Sequence, residues 1–258
     1  MHPLLFKIGP IPIHTYGFMI AMGFLIATQM IKKLSKQSSI DEERMLDLTF
    51  WCLLTGFLGS RTLFILTRLP FFMSDPWAIF RVWEGGLVFL GGLVLTIPFV
   101  AWYVRRFQLP LWVALDILAP ALVLAHAFGR IGCLFAGCCY GKPSGSSFGI
   151  KLYSDVVERA YQGIPLHPTQ IYESSALFVI FFLLLALFKR KKFDGQVALT
   201  YALVYPIVRS VIEMFRGDLV RGFVIEGLLS TSQFISLLLF ISALVALRFR
   251  MRKVQEQG

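Results

Sequence analysis

Three arginines, Arg61, Arg130 and Arg209, fall within or at the edges of long apolar runs. A charge near the centre of a membrane-spanning helix costs about 2.5–3.5 kcal/mol on insertion scales, so such residues need partners or a task. Arg209 belongs to the series Tyr205, Arg209 and Glu213, whose i, i+4, i+8 spacing places all three on one helix face. Arg216 roughly continues that face. Guanidinium forks match the oxygen geometry of phosphate. His14, Tyr16 and Gly17 stand at the start of the first run, Glu84 precedes the third, and His167, Gln170, Tyr172 and Glu173 open the fifth. These polar groups collect at one end of the apolar runs, which points to a site for an anionic phospholipid headgroup. The competing reading is a buried Arg209–Glu213 ion pair that only fixes helix rotation. Asp47 and Asp116 fall at the opposite ends and read as structural or helix-terminal residues.

The segment from Gly129 to Gly141 is the densest motif, with glycines at 129, 132, 137 and 141 around Arg130. Glycine lets backbone approach a ligand and offer N–H donors to an anion, although small residues also serve helix packing in lipid. Cys133, Cys138 and Cys139 lie in the same segment, with His126 nearby, a set that raises the question of a metal. Their C-x4-C-C spacing lacks the paired CxxC of common zinc sites. Small cysteines filling gaps between helices are the preferred reading, ahead of a disulfide or a metal site.

The elements that must position these residues follow from composition. The 258 residues are 57% hydrophobic and only 16% charged. That excludes disorder and leaves too little polar surface for a water-soluble globule. Seven apolar runs are predicted to span a membrane as helices: 13–31, 45–66, 87–104, 111–132, 171–188, 197–214 and 228–247. The expected fold is an all-α polytopic membrane protein forming one transmembrane domain over 1–258. Two excursions interrupt it, an interfacial arm at 67–86 carrying Trp77 and Trp83, and a small cap at 133–170. The first run has its positive cluster after it rather than before it, unlike a cleaved signal peptide. Fourteen Lys and Arg residues crowd the loops on one side, against eight in the longer loops of the other. Positive flanks stay cytoplasmic, so the N-terminus is expected outside, the C-terminus inside, and the polar cluster toward the outer leaflet. The formal net charge of +10 is therefore mostly a topology signal, and nucleic acid is not an expected partner.

The chain also resembles the prolipoprotein diacylglyceryl transferases of bacterial cytoplasmic membranes along almost its whole length. The resemblance runs through Ile13-His14-Thr15-Tyr16-Gly17, Gly59-Ser60-Arg61, Arg81-Val82-Trp83-Glu84-Gly85-Gly86 and Gly91-Gly92-Leu93. It continues through Gly129–Gly141, His167–Glu173, Tyr205–Arg209, Glu213–Arg216 and Asp218. It implies transfer of the diacylglyceryl group of phosphatidylglycerol to the lipobox cysteine of a preprolipoprotein, with glycerol-1-phosphate leaving. It also implies that Arg130 binds phosphatidylglycerol and that Tyr16, Arg209 and Glu213 fill family site positions. Departures are clear. Cys133-Leu134 stand where the family commonly has Asn-Phe, Ala136 and Cys138 replace a common Asn and Glu, and Leu90 replaces a His proposed as base.

The chemistry needs a thiolate, a carbon electrophile and a stabilised phosphate leaving group. Arg130 and Arg209 are expected to bind the phosphate and neutralise the leaving charge. Glu213 would orient Arg209, Tyr16 and Gln170 would position the headgroup, and His167 or Glu84 would act as base. Arg61, Gly129, Gly141 and Tyr205 complete the expected substrate contacts. No metal or soluble cofactor is expected. A relative acting on another anionic lipid is the next reading. An anionic-solute transporter is disfavoured, because the polar residues gather at one end and no internal repeat is evident.

Overall fold

The computed structural model describes residues 4–8, 11–82, 85–153, 157–217, 222–225 and 228–255. Eight α-helices occur among them: α1 (Thr15–Gln37), α2 (Glu42–Thr67), α3 (Leu69–Ser74), α4 (Phe89–Arg106), α5 (Leu111–Ala136), α6 (Thr169–Phe188), α7 (Gln196–Phe215) and α8 (Thr231–Gln255). All but the short α3 are long and apolar enough to cross a membrane, which makes this a multi-pass membrane protein. They coincide with the seven predicted spans. Several run past the predicted ends, as at Gln37 and Gln255, because hydropathy marks only the apolar stretch while backbone hydrogen bonding continues into polar residues.

Beyond the predicted all-helical plan, three short antiparallel pairs lie outside the spans. β1 (Leu4–Ile8) pairs with β2 (Ile11–His14), β3 (Ile150–Lys151) with β4 (Pro165–Leu166), and β5 (Phe223–Ile225) with β6 (Leu229–Ser230). The β3–β4 pair belongs to the excursion between α5 and α6. That excursion has a core of its own, built from Tyr140, Leu152, Val157 and Leu166 with Ile150 and Tyr161 against it.

The chain divides into two compact units, residues 31–114 and residues 1–30 with 115–258. In the first, Asp41 caps α2 by accepting from the N–H groups of Glu43 and Arg44, and Glu42 and Glu43 complement the helix dipole. α2 and α4 cross on small residues. A methyl group at either Gly59 or Gly91 would collide with the other's carbonyl, and one at Gly92 would strike Ser60 and Gly56. Thr55 and Thr96 hydroxyls meet at 3.2 Å across the same crossing.

In the other unit, α7 begins after Gly195, whose φ of 96° suits glycine and which offers no side-chain cap. The cap comes from α5 instead. Asp116 is fully buried, accepts from the N–H groups of Gly195 (2.9 Å) and Ala198 (3.0 Å), and pairs with Lys191 at 2.9 Å. Burial alone would lower the pKa of the Lys191 ammonium, but hydrogen bonds to Asp194 and Asp116 hold it above its ordinary value.

Candidate functional site

The polar cluster sits on α5, α6 and α7, within one unit. Its hub is Glu173, which is fully buried on α6. Glu173 Oε1 receives Arg130 Nη2 at 3.0 Å and the Tyr205 hydroxyl at 3.2 Å. Arg130 Nε donates to His126 Nε2 at 3.3 Å, which leaves the ring proton of His126 on Nδ1. The imidazole stacks edge-on against Tyr205 at 5.3 Å. One turn along α7 from Tyr205, Arg209 is 5% exposed and ion-paired with Glu213. Arg209 Nη1 has no hydrogen-bond partner among the described residues, and neither has Glu173 Oε2. Buried polar atoms left so cost about 1–3 kcal/mol each unless something binds them. Arg216, also buried, acts electrostatically on Arg209.

The structure thus brings Arg130, Tyr205, Arg209 and Glu213 together. It adds His126 and Glu173, which the sequence reading did not select as site residues. His126 stands one turn before Arg130 on the same face, and that i, i+4 spacing was the available signal. Glu173 was visible only as part of the His167–Glu173 stretch.

The remaining expected residues divide by what surrounds them. Tyr16 opens α1 and packs over Gly132 so closely that a methyl group there would lie 3.0 Å from its Cδ2. Gly129 faces open space, with nothing within 4 Å of where a side chain would begin. His167 Nδ1 is 3.3 Å from the Tyr172 hydroxyl, and its ring packs on Phe215 at 5.4 Å. Gly141 is fixed by packing: its N–H donates to the His167 carbonyl at 3.0 Å, and a side chain would run into the backbone of His167 and Phe215. Gln170 donates its Nε2 to the Cys138 carbonyl at 2.6 Å, leaving Oε1 without a partner among the described residues. Glu84, with its neighbour Trp83, lies outside the described residues.

Arg61 belongs to the other unit. Its guanidinium donates to the carbonyls of Ala78 (2.6 Å), Ile79 (3.2 Å), Arg81 (3.4 Å), Gly85 (2.7 Å) and Gly86 (3.1 Å). It also lies over the rings of Phe64 and Phe72, both at 5.6 Å. Arg61 therefore holds the polypeptide of the arm, where α3 carries outward-facing Met73, a 3-10 turn at Pro76–Ile79 carries Trp77, and Phe80 follows just beyond it.

The cysteines of the signature segment form no disulfide among the described residues. Cys133, in the last turn of α5, and Cys138 and Cys139 beyond it have sulfurs all within 4.8 Å of one another. Hydrogen bonding with Cys133 and Cys139 pushes the Cys138 thiol well above its ordinary range. Arg130 is near enough to Cys133 and Cys139 to interact with both electrostatically. These thiols are the one cluster among the described residues with the donor set for a metal ion.

The family model described as prolipoprotein diacylglyceryl transferase matches residues 3–249. The chain is similar to phosphatidylglycerol–prolipoprotein diacylglyceryl transferase 2 of Clostridium perfringens, at 37% identity over 95% of this chain and 94% of that one. It is also similar to the corresponding transferase of Clostridium tetani, at 35% identity over 93% and 94% of the two chains. A third relative, from Lactobacillus gasseri, is 30% identical over 98% of this chain and 92% of its own.

Proposed function

The chain belongs to the prolipoprotein diacylglyceryl transferase family, and from that premise we propose that it moves the diacylglyceryl group of phosphatidylglycerol onto the lipobox cysteine of a preprolipoprotein. Glycerol-1-phosphate leaves and a thioether forms. The protein sits in the bacterial cytoplasmic membrane, with its N-terminus outside, its C-terminus inside, and the α5–α6–α7 cluster toward the outer leaflet. The density of Lys and Arg at one set of helix ends supports that orientation.

The observation that carries the reading is Arg209: a buried guanidinium tied to Glu213 on one side, with Nη1 unpartnered among the described residues. Arg130, held by Glu173 and His126, supplies the second guanidinium. Two guanidinium groups brought together from separate helices, α5 and α7, suit the oxygens of a phosphodiester. As the C–O bond to the leaving phosphate breaks, negative charge grows on the phosphate oxygen. Preorganised donors in a dry site stabilise that charge more in the transition state than in the ground state. Tyr16 and the open face at Gly129 border the same helix end and contact the headgroup. His167 remains the base candidate among the described residues.

The test is direct. Purified protein is mixed with phosphatidylglycerol vesicles and a lipobox peptide, and the peptide is weighed by mass spectrometry. The expected product is the diacylglyceryl thioether, absent when serine replaces the peptide cysteine. No adduct from any anionic lipid would overturn the reading, and an adduct from another lipid alone would replace phosphatidylglycerol as donor.

A further inference from the structure

Three cysteines remain without a task in that mechanism. Around a tetrahedral zinc with Zn–S bonds of about 2.3 Å, sulfurs stand about 3.8 Å apart. The sulfurs of Cys133, Cys138 and Cys139 already lie within 4.8 Å of one another, so shifts of about 1 Å would bring them to coordinating distance. Adjacent side chains on extended backbone point to opposite faces. The φ of 63° at Cys139 breaks that alternation. Such a conformation is unfavourable for a residue with a side chain and persists only where the surroundings impose it. Two buried side chains at the start of α6 impose it here. Thr169 Oγ1 donates to the Cys139 carbonyl and Gln170 Nε2 to the Cys138 carbonyl, both at 2.6 Å. The Cys138 N–H returns to the Cys133 carbonyl at 3.2 Å, tying the loop to the end of α5.

Resting on the transferase reading, we propose that Cys133, Cys138 and Cys139 form a three-thiolate zinc site whose open fourth position takes the client's cysteine thiol. Soft thiolate donors select zinc over hard cations, and catalytic zinc sites keep three protein ligands and one open position. Three thiolates and a divalent cation carry one negative charge, and Arg130 lies near enough to Cys133 and Cys139 to interact with it favourably. A client thiol entering the fourth position gives its proton to water, because a zinc-bound thiol is deprotonated outright. Its sulfur then attacks the glyceryl carbon that bears the phosphate ester. The C–S bond forms as the C–O bond breaks, and the C–O electron pair leaves with the glycerol phosphate. The thioether product is a weaker ligand and departs from the metal.

The test uses the full chain in detergent, reduced with a phosphine and titrated with cobalt(II) as the spectroscopic stand-in for zinc. One cobalt per chain is expected, with sulfur-to-metal charge-transfer absorption and tetrahedral d–d bands. Cys133→Ser, Cys138→Ser and Cys139→Ser should each lose these bands while keeping wild-type helicity by circular dichroism, and Cys52→Ser should retain them. A cysteine lipobox peptide should shift the d–d bands, and its serine counterpart should not. Reduced wild-type protein that binds no cobalt would overturn the inference. So would transfer that persists in metal-free protein with all three cysteines replaced, and in that case the transferase reading stands. Cobalt bound with the peptide-dependent shift, in a protein that lipidates no peptide, would instead sink the transferase reading and keep the metal site.

Discussion

Arg61 on α2 and Arg209 on α7 look alike in the sequence: both are arginines in apolar runs, and both are buried. Their surroundings differ in kind. Arg61 directs its donors at five backbone carbonyls between Ala78 and Gly86, so its capacity is taken up by the protein itself. Arg209 meets a carboxylate and keeps a buried donor unpartnered among the described residues. A buried guanidinium whose donors are all engaged organises backbone, whereas one held from a single side keeps a donor for another acceptor, which is the role proposed for Arg209. Burial does not separate the two cases; the hydrogen-bond inventory does.

Substitutions can break that contrast. The largest expected effect is on Arg209: Arg209→Lys should lower transfer by about 10²–10³-fold, the range for removing one donor to a developing oxyanion, while the thermal midpoint moves little. Arg61→Met should do the reverse. Carbonyls of the 78–86 segment lose their donor, at about 1–3 kcal/mol for each left buried and unsatisfied. Limited proteolysis should cut within 67–86, and the thermal midpoint should fall. If Arg61→Met abolished transfer with unchanged stability, the division between organiser and ligand would fail. Glu173→Gln keeps the shape but removes the charge that holds Arg130, and about a tenfold loss of transfer is expected, equivalent to roughly 1.4 kcal/mol. That loss should appear in kcat more than in KM if Arg130 acts chiefly on the leaving group.

The smallest effect is a control far from the arginines in function. Because the pKa of Lys191 is raised in the fold, its pairing contributes fully below the ordinary lysine value of about 10.4 and is lost as pH rises through the folded value. The difference in thermal midpoint between wild type and Lys191→Met should therefore be constant near neutrality and shrink at strongly alkaline pH. A gap that widened there would contradict the assignment.

The spans were legible because a hydrocarbon core demands about 20 apolar residues, and hydropathy reports that directly. The Tyr205–Arg209–Glu213 face was legible because helical periodicity is fixed. The Glu173–Arg130 pair was not, since periodicity within a helix says nothing of which faces meet across helices. Arg61's partners were hidden for a different reason. They are main-chain carbonyls, which every residue has, so no residue type announces them. The β1–β2 pair escaped because its strands of 5 and 4 residues, Leu4–Ile8 and Ile11–His14, are too short to display a period. The three cysteines were seen, but their convergence depends on the left-handed turn at Cys139, which a non-glycine residue does not advertise.

The clamp of Asp116 on the start of α7 works as a depth gauge. Arg130 lies fourteen residues beyond Asp116 on α5, and Arg209 lies fourteen beyond Gly195 on α7. At about 1.5 Å of rise per residue, both guanidinium-bearing positions stand about 21 Å from the shared anchor. Levelling at one end of the two rods thus sets level arms at the other. A single insertion between anchor and arginine in either rod would put the two arms out of step by a residue's rise and a 100° turn.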